Sequence, residues 1–138
     1  MTHDEYLPAA ADYLVPIPGF TSFTTAQGAG RFVFISGVTS RGADGEVRAA
    51  GDVAGQTDQI LRTIKALLAD SGGDLHHIRQ IRTYVTDIDR WPQIEEIWRR
   101  YWPERFPAST LVQVSRLFDV QQLIETDAIA FIPDPVQG

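Results

Sequence analysis

The chain has 138 residues, of which 43% are hydrophobic and 22% charged, as in an ordinary globular domain. Its formal net charge of -6 disfavours binding to a phosphate backbone, and its lack of cysteine excludes disulfides and thiolate metal sites. No apolar run approaches the ~20 residues of a membrane helix. We therefore expect a soluble cytoplasmic protein with one domain, residues 1–138, that binds neither nucleic acid nor membrane.

The N-terminal third of the sequence predicts an arm and three strands. Three prolines among residues 1–18 indicate an extended arm. Residues 20–26 are rich in aromatic and β-branched types and predict a first strand. Residues 31–38, which are apolar on both faces, predict a second strand, and residues 46–50 predict a short third strand after a glycine turn.

Two helices and a strand are predicted in the middle of the chain. Residues 53–70 place an apolar stripe at helical spacing, formed by Ile60, Ile64, Leu67 and Leu68. Asp52 is the predicted N-cap of this helix. A strand is expected over residues 81–88. A second helix follows, with Asp89 as its cap, an aromatic face, and Pro103 beyond its end.

The C-terminal part predicts two strands, residues 107–117 and 123–132, which we interpret as a hairpin. Side chains alternate between the faces of a strand, so Glu125 and Asp127 share one face with apolar neighbours. A carboxylate in apolar surroundings is costly unless it is paired or used in chemistry. This makes the last strand the first place to look for a functional site.

The element order β-β-β-α-β-α-β-β predicts an α+β domain with one sheet. Two helices cover only one face of such a sheet. The second and last strands are nevertheless apolar on both faces, so the uncovered face would be a large apolar patch. We therefore expect the protein to be a homo-oligomer.

Several motifs in this order resemble the YjgF/RidA family, the reactive-intermediate (enamine/imine) deaminases. The resemblance extends roughly from residue 20 to residue 132. Its carriers are Gly30-Arg-Phe-Val-Phe-Ile-Ser-Gly37, Gln56-Thr57, Leu67-Leu-Ala-Asp-Ser-Gly72, Tyr84-Val-Thr-Asp-Ile-Asp89, Pro107-Ala108, Val112-Gln-Val-Ser-Arg-Leu117 and Ile124-Glu-Thr-Asp-Ala-Ile-Ala130. The resemblance implies a chorismate-mutase-like fold, with one mixed sheet and both helices on one face. It also implies a homotrimer whose sheets form a central barrel, with pockets in the three clefts between subunits.

The resemblance also implies roles for individual residues. Glu125 stands at the position of the glutamate that positions the attacking water, and Ser36 and Gly37 match a pocket-lining Ser-Gly pair. Three positions depart from the deaminase pattern: Phe23 replaces a tyrosine, Ser109 replaces the arginine that binds the substrate carboxylate, and Gln113 replaces a common glutamate. Leu111 and Phe23 make the expected pocket drier. Arg116 matches a common family arginine, which we interpret as structural.

The replacement of the arginine by Ser109 bears most on function. A guanidinium binds a carboxylate through charged hydrogen bonds of about 1.5–3 kcal/mol each. A serine hydroxyl does not replace these bonds. We therefore expect a hydrolase or deaminase that acts on an imine, enamine or related electrophilic carbon other than the usual 2-imino acid. Glu125 would position water, with no metal or organic cofactor. Candidates for a replacement cation are Arg41, Arg99, Arg100 and Arg105.

Alternatives to these interpretations remain open. The same clefts would also suit a non-catalytic trimer that binds a small metabolite. For Asp127, a rim position or a salt bridge to an arginine is preferred over a coupled carboxylate pair with Glu125. His76 and His77 lack partners at metal-ligand spacing and are interpreted as an exposed turn. Ribonuclease activity is disfavoured by the acidic charge and the absence of a histidine acid/base pair.

Overall fold

The computed structural model describes residues 17–136, so the predicted arm, residues 1–18, lies outside the described residues except at its last two positions. The described chain folds into four strands and two helices. The strands are β1 (Gly30–Val38), β2 (Ile78–Val85), β3 (Ala108–Gln113) and β4 (Ile124–Pro133), and the helices are α1 (Val53–Asp70) and α2 (Trp91–Tyr101). Short 3-10 turns at Leu75–His77 and Ile88–Arg90 precede β2 and α2.

The four strands form one mixed sheet in the order β1-β4-β2-β3. Strand β4 pairs antiparallel with both β1 and β2, whereas β3 pairs parallel with β2. The α+β class and the single mixed sheet are confirmed. The predicted hairpin is wrong, because the last strand inserts between β1 and β2 and has no pairing with β3.

Helix α1 matches its prediction over residues 53–70. The Asp52 carboxylate accepts a hydrogen bond of 3.0 Å from the Gly55 N–H, as an N-cap does. Ile60, Ile64 and Leu68 are buried, while Leu67 is 43% exposed and lies at the edge of the stripe. The helix ends before Gly72, whose φ of 84° is a left-handed conformation that favours glycine.

Helix α2 begins at Trp91, two residues after the predicted cap. Asp89 is not the cap, because its N–H donates to the Asp87 carboxylate at 3.1 Å and so belongs to the preceding 3-10 turn. The hydroxyl of Tyr101, the last residue of α2, donates to Asp58 Oδ1 at 2.6 Å and joins the two helices. Burial and this hydrogen bond raise the pKa of Tyr101.

Two predicted strands are absent from the described residues, and a third has other limits. Residues 20–26 are irregular, since the hydroxyls of Thr21 and Thr24 donate to carbonyls of Phe106 and Arg79 and hold the segment across the ends of β2 and β3. Residues 46–50 contribute only an isolated bridge between Arg41 and Val47. The strand predicted over residues 81–88 spans Ile78–Val85. Composition alone did not distinguish irregular β-rich segments from sheet members.

The side chain of Gln56, which is fully buried at the start of α1, fixes the entry to β4. Its Nε2 donates to the carbonyl of Gln121 at 2.9 Å and to that of Ala49 at 3.3 Å. Its Oε1 accepts from the Leu123 N–H at 2.8 Å. One amide thereby satisfies backbone groups on both sides of the turn that leads into β4.

Both helices pack on the same face of the sheet, as expected. The core between them holds the inward residues of the strands, which include Ile35, Ile81, Val85, Ile124, Ala128 and Ala130. On the opposite face, Phe32 is 56% and Phe34 74% exposed, and the Phe32 ring lies 5.2 Å from that of Phe131. Within the described chain nothing covers this second face, which is named the open face below.

Candidate active site

Glu125 lies on the open face near the beginning of β4. The strand alternates strictly over its first seven residues: Ile124, Thr126, Ala128 and Ala130 are buried against the helices, and the residues between them point the other way. Glu125 is partly buried on that open face. No described residue donates a hydrogen bond to its carboxylate or forms an ion pair with it. An unpartnered carboxylate at a partly apolar face is available to bind water or a substrate proton.

A bulge in β1 brings backbone against this carboxylate. Ile35 pairs with Ala128 and Val38 pairs with Thr126, so β1 has one residue more than β4 between these two pairs. The additional length falls at Ser36 and Gly37, which are both exposed. A Cβ placed on Gly37 would lie 2.7 Å from Oε2 of Glu125, closer than such atoms approach. Glycine therefore permits the carboxylate to lie directly against the bulge.

Asp127, the second carboxylate of β4, has partners. Its Oδ1 accepts from Arg82 Nε at 2.9 Å, and its Oδ2 accepts from the Tyr84 hydroxyl at 3.4 Å. The Asp127 carboxylate raises the pKa of Arg82. The preferred interpretation of Asp127, a salt bridge to an arginine, is confirmed, and the carboxylate pair with Glu125 is not formed.

Arg82 and Tyr84 were not singled out from the sequence, although both lie on the open face. Tyr84 is the β2 partner of Glu125, and Arg82 is the partner of Asp127. Alternation within residues 81–85 placed these side chains on one face of β2. The antiparallel pairing of β2 with β4 brings Arg82 and Tyr84 beside the carboxylates of β4. The hairpin interpretation did not include this pairing.

Ser109, Leu111 and Gln113 lie on the other face of the sheet. In the parallel pairing they stand beside Ile81, Thr83 and Val85, whose side chains point toward the helices. Leu111 packs against the core, and Gln113 Oε1 accepts from the Ile88 N–H at 3.0 Å. Within one chain the structure therefore does not bring these residues together with Glu125.

The remaining residues singled out from the sequence are dispersed. Phe23 is partly exposed in the irregular segment before β1. Among the candidate cations, Arg41 pairs with Asp119, Arg99 with Glu95 and Arg100 with Glu96. Arg105 lines a cavity near the ends of β2 and β3. Among residues 17–136 no cluster of histidine, aspartate or glutamate is suited to hold a metal ion.

The fold is an α+β sheet with two helices on one face, and its most prominent chemical feature is the unpartnered Glu125. The chain belongs to the RutC/RidA/YjgF family: residues 16–132 match the family model described as Endoribonuclease L-PSP. No helix of the described residues is long and apolar enough to cross a membrane.

Two curated relatives are similar over most of their length. A RutC family protein of Pyrococcus horikoshii is 36% identical over 110 residues, which cover 79% of this chain and 86% of the relative. The 3-aminoacrylate deaminase RutC of Acinetobacter baylyi is 31% identical over 115 residues, covering 83% of this chain and 90% of the relative. At the level of the family, these comparisons support imine or enamine deamination.

Solved structures agree with the fold. A conserved Rid-family protein of unknown function from Yersinia pestis, YyfB, superposes with a TM-score of 0.74 at 28% identity, covering 83% of this chain and 87% of that protein. A member of the YjgF/YER057c/UK114 family from Mycobacterium tuberculosis gives a TM-score of 0.65 at 27% identity, with 90% of each chain covered.

Proposed function

We propose that the protein is a RidA-like deaminase that hydrolyses the C–N bond of a small imine or enamine. The observation that carries this proposal is the Glu125 carboxylate, which has no partner among the described residues and lies against the glycine bulge of β1. The relative that is a 3-aminoacrylate deaminase gives the reaction class support from a second direction.

The chemistry needs one carboxylate and one water. Glu125 accepts a proton from water as the oxygen attacks the electrophilic carbon of the imine, or of the imine tautomer of an enamine. The carbinolamine nitrogen takes up that proton, the C–N bond breaks, and ammonia leaves with a carbonyl compound as the other product. No electrons are exchanged with the surroundings, so the proposed reaction requires no redox cofactor.

The proposed site includes residues of two copies of the chain. Ser36, Gly37 and Glu125 lie on the open face, whereas Ser109, Leu111 and Gln113 lie on the helix side. A cleft that contains both sets therefore requires the helix-side residues of one subunit to meet the open face of another. A homotrimer with clefts between subunits satisfies this requirement and also covers the exposed Phe32 and Phe34.

The substrate proposed is not the usual 2-imino acid. Ser109 offers a hydroxyl where the deaminase pattern has a guanidinium, so a carboxylate at that point loses its charged partner. Leu111 and Phe23 add apolar surface. The substrate class that fits is a small imine or enamine with less negative charge at this end.

The direct test compares Glu125→Gln with the unaltered protein. Imines are generated in situ by an amino-acid oxidase or an amine oxidase, and ammonia release is followed in both assays. We expect Glu125→Gln to lower the rate by about a hundredfold or more, in the range of general acid–base contributions. Glu96→Gln, at an exposed helix carboxylate paired with Arg100, is the control. Full activity in Glu125→Gln would refute the assigned role.

The second candidate function is a non-catalytic trimer that binds a small metabolite in the same clefts, and the observation that favours it is Ser109. The substitution Ser109→Arg separates the two functions. If this variant gains deamination of 2-imino acids, Glu125 is able to activate water in the natural protein. The natural protein then lacks only the arginine that binds the substrate carboxylate. If neither the natural protein nor the variant deaminates any tested imine, the binding module is the better description.

A further inference from the structure

Tyr84 is the residue of β2 that lies beside Glu125 on the open face. The two residues are direct partners in the antiparallel pairing of β2 with β4, so their Cβ atoms are about 5 Å apart. The Tyr84 hydroxyl donates to Oδ2 of Asp127 at 3.4 Å. Asp127 follows Glu125 by two residues on the same face, about 7 Å along the strand. The ring of Tyr84 therefore extends along the face from the level of Glu125 to that of Asp127.

The Asp127 carboxylate that accepts from Tyr84 is held by Arg82. Arg82 Nε donates to Oδ1 of Asp127 at 2.9 Å, which leaves Oδ2 for the Tyr84 hydroxyl. The Asp127 side chain is 17% exposed and that of Arg82 is 53% exposed, so the carboxylate is shielded while the guanidinium reaches solvent. An ionised carboxylate only accepts hydrogen bonds, so it directs the proton of the Tyr84 hydroxyl toward itself.

The phenol oxygen of Tyr84 is consequently an acceptor for a ligand. A hydroxyl has one proton and two lone pairs, and the proton is directed to Asp127. No described residue donates a hydrogen bond to this oxygen. The lone pairs therefore suit a ligand that presents an N–H group, which the nitrogen of an imine or of departing ammonia provides.

The charges on this part of the open face favour a cation. Glu125 and Asp127 contribute two carboxylates and Arg82 one guanidinium, which is paired with Asp127. One negative charge thus has no counter-charge among the described residues. A protonated imine carries a positive charge on its nitrogen and is attracted by this excess, whereas a substrate carboxylate is repelled. Ser109, on the helix side, supplies no cation that would reverse this preference.

The dimensions of the face fit an imine between the two carboxylates. Gly37 lies directly against Glu125 on the β1 side, so substrate and water approach from the side of Tyr84. A separation of about 7 Å accommodates a water molecule on Glu125, the electrophilic carbon next to it, and the nitrogen at the Tyr84 oxygen. Carbon and nitrogen then face different protein groups, as hydrolysis of a C–N bond requires.

We propose that Tyr84, held by Asp127, binds the substrate nitrogen, and that the substrate class of the Glu125 site is a protonated imine without a carboxylate. This inference rests on the proposed deaminase function. The water oxygen bonds to the imine carbon while Glu125 takes one proton of that water and returns it to the nitrogen. The nitrogen is then again a cation beside Tyr84. The C–N bond breaks, ammonia leaves, and the hydroxyl proton passes to solvent as the carbonyl forms.

The test uses the full chain and two imines that differ only in a carboxylate. An amine oxidase generates the imine of isopentylamine in situ, and an amino-acid oxidase generates the corresponding imine of leucine. Ammonia release above the spontaneous rate is measured at matched rates of imine production. We expect kcat/KM to be about tenfold or more higher for the isopentylamine imine, because the uncompensated negative charge repels the carboxylate of the other.

Two variants separate the nitrogen contact from the charge. Tyr84→Phe removes only the hydroxyl, and kcat/KM for the isopentylamine imine should fall about fivefold or more, as for one lost hydrogen bond. Asp127→Asn removes a negative charge and leaves Arg82 uncompensated, so the preference for the isopentylamine imine over the leucine imine should shrink about tenfold. A purely structural effect would lower both rates alike and leave their ratio unchanged.

Each variant has a matched control away from the open face. Tyr101→Phe removes a hydroxyl that donates to the Asp58 carboxylate between the two helices. Asp44→Asn removes a surface carboxylate that pairs with Arg48 at 3.0 Å. We expect both controls to retain the natural ratio of the two rates.

Equal hydrolysis of the two imines, or faster hydrolysis of the leucine imine, would overturn the substrate class. Unchanged kinetics in both Tyr84→Phe and Asp127→Asn would overturn the assigned roles. Glu125→Gln distinguishes this inference from the proposed function: if it hydrolyses both imines at the natural rate, the deaminase role of Glu125 fails, and this inference with it. If it is inactive but the natural protein prefers the leucine imine, only the substrate class fails.

Discussion

Among single residues, Gly37 lies directly against the candidate catalytic group, Glu125. A methyl group at this position would meet Oε2 of Glu125 at 2.7 Å and its Cδ at 3.0 Å. The carboxylate, and not the bulge, is free to move, because no described residue holds it. The absence of a side chain on Gly37 therefore permits the carboxylate to lie against β1, and an added methyl group would displace it.

We predict that Gly37→Ala folds normally but loses about tenfold to a hundredfold in kcat/KM, since a displacement near 1 Å is costly in a catalytic group. Imine hydrolysis measures the loss and circular dichroism checks the fold. Gly45→Ala, whose added Cβ meets nothing within 4 Å but whose φ of 84° disfavours alanine, separates a general loss of stability from a displacement of Glu125. Wild-type activity in Gly37→Ala would show that Glu125 tolerates displacement and weaken its assigned role.

His77 couples the turn before β2 to pH. Its Nδ1 accepts a hydrogen bond from the Asp74 N–H at 3.0 Å, which only the neutral ring can do. Burial, His76 and Arg79 lower its pKa from the ordinary value of 6.5. Because the unfolded state then binds more protons, this stabilisation is complete above pH 6.5 and is lost as the pH falls through the folded-state pKa.

We therefore predict that the free energy of unfolding decreases as the pH is lowered from about 6.5 to about 5, by about 1 kcal/mol for the lost hydrogen bond. Urea titrations across this range measure it. His77→Gln should reduce the slope, since the glutamine does not titrate, whereas His76→Gln on the exposed neighbour should retain most of it. An identical slope in His77→Gln and the natural chain would assign the pH dependence to other groups.

Among secondary-structure elements, the entry to β4 depends on the buried amide of Gln56 in α1. Three hydrogen bonds join it to the backbone at Ala49, Gln121 and Leu123. Removing the amide leaves buried backbone groups unpaired at the point where the chain begins the strand that carries Glu125. Leucine has similar size and no polar atom, so it isolates this effect.

We predict that Gln56→Leu lowers the free energy of unfolding by about 2–4 kcal/mol, as expected when buried backbone partners are left unsatisfied. Chemical denaturation measures the change. Gln93→Leu, on the exposed face of α2, should change stability by less than about 0.5 kcal/mol. A loss below 1 kcal/mol in Gln56→Leu would mean that water replaces the amide.

The elements with strong local signals were predictable, and those defined by long-range pairing were not. Helix α1 has a capping aspartate, an apolar stripe and a terminal glycine, all within one stretch, so its limits agree with the prediction. The position of Glu125 on one face of an alternating apolar strand was predictable for the same reason. The pairing of β3 with β2 places Ser109 on the face opposite Glu125. It depends on contacts between segments that are distant in the sequence, so no local sequence pattern predicts it.

For the whole molecule, we propose that the open face is the surface through which copies of the chain associate. Phe32 and Phe34 stand exposed beside Phe131, and Val112 on β3 is 41% exposed. Burial of such apolar surface contributes about 25 cal/mol of stabilisation per Å², and this favours association. The proposed clefts between subunits require this same face.

We predict that Phe34→Glu converts the oligomer into a folded monomer and abolishes imine hydrolysis, since the helix-side residues of a second copy no longer reach Glu125. Light scattering coupled to gel filtration measures the mass. Leu67→Glu places the same charge on a 43% exposed apolar residue of α1 and should leave the oligomer intact. A natural chain that is monomeric at micromolar concentration would contradict both the oligomer and the composite site.

The central place of β4 in the sheet also has a consequence for biosynthesis. β4 is the last of the four strands in chain order, yet β1 on one side and the β2–β3 pair on the other are joined only through it. More than eighty residues separate β1 from β4 in the sequence, so during translation β1 is synthesised well before its pairing partner. The sheet is therefore completed only after the Glu125 strand has been synthesised, and until then both faces of β1 depend on other protection against aggregation.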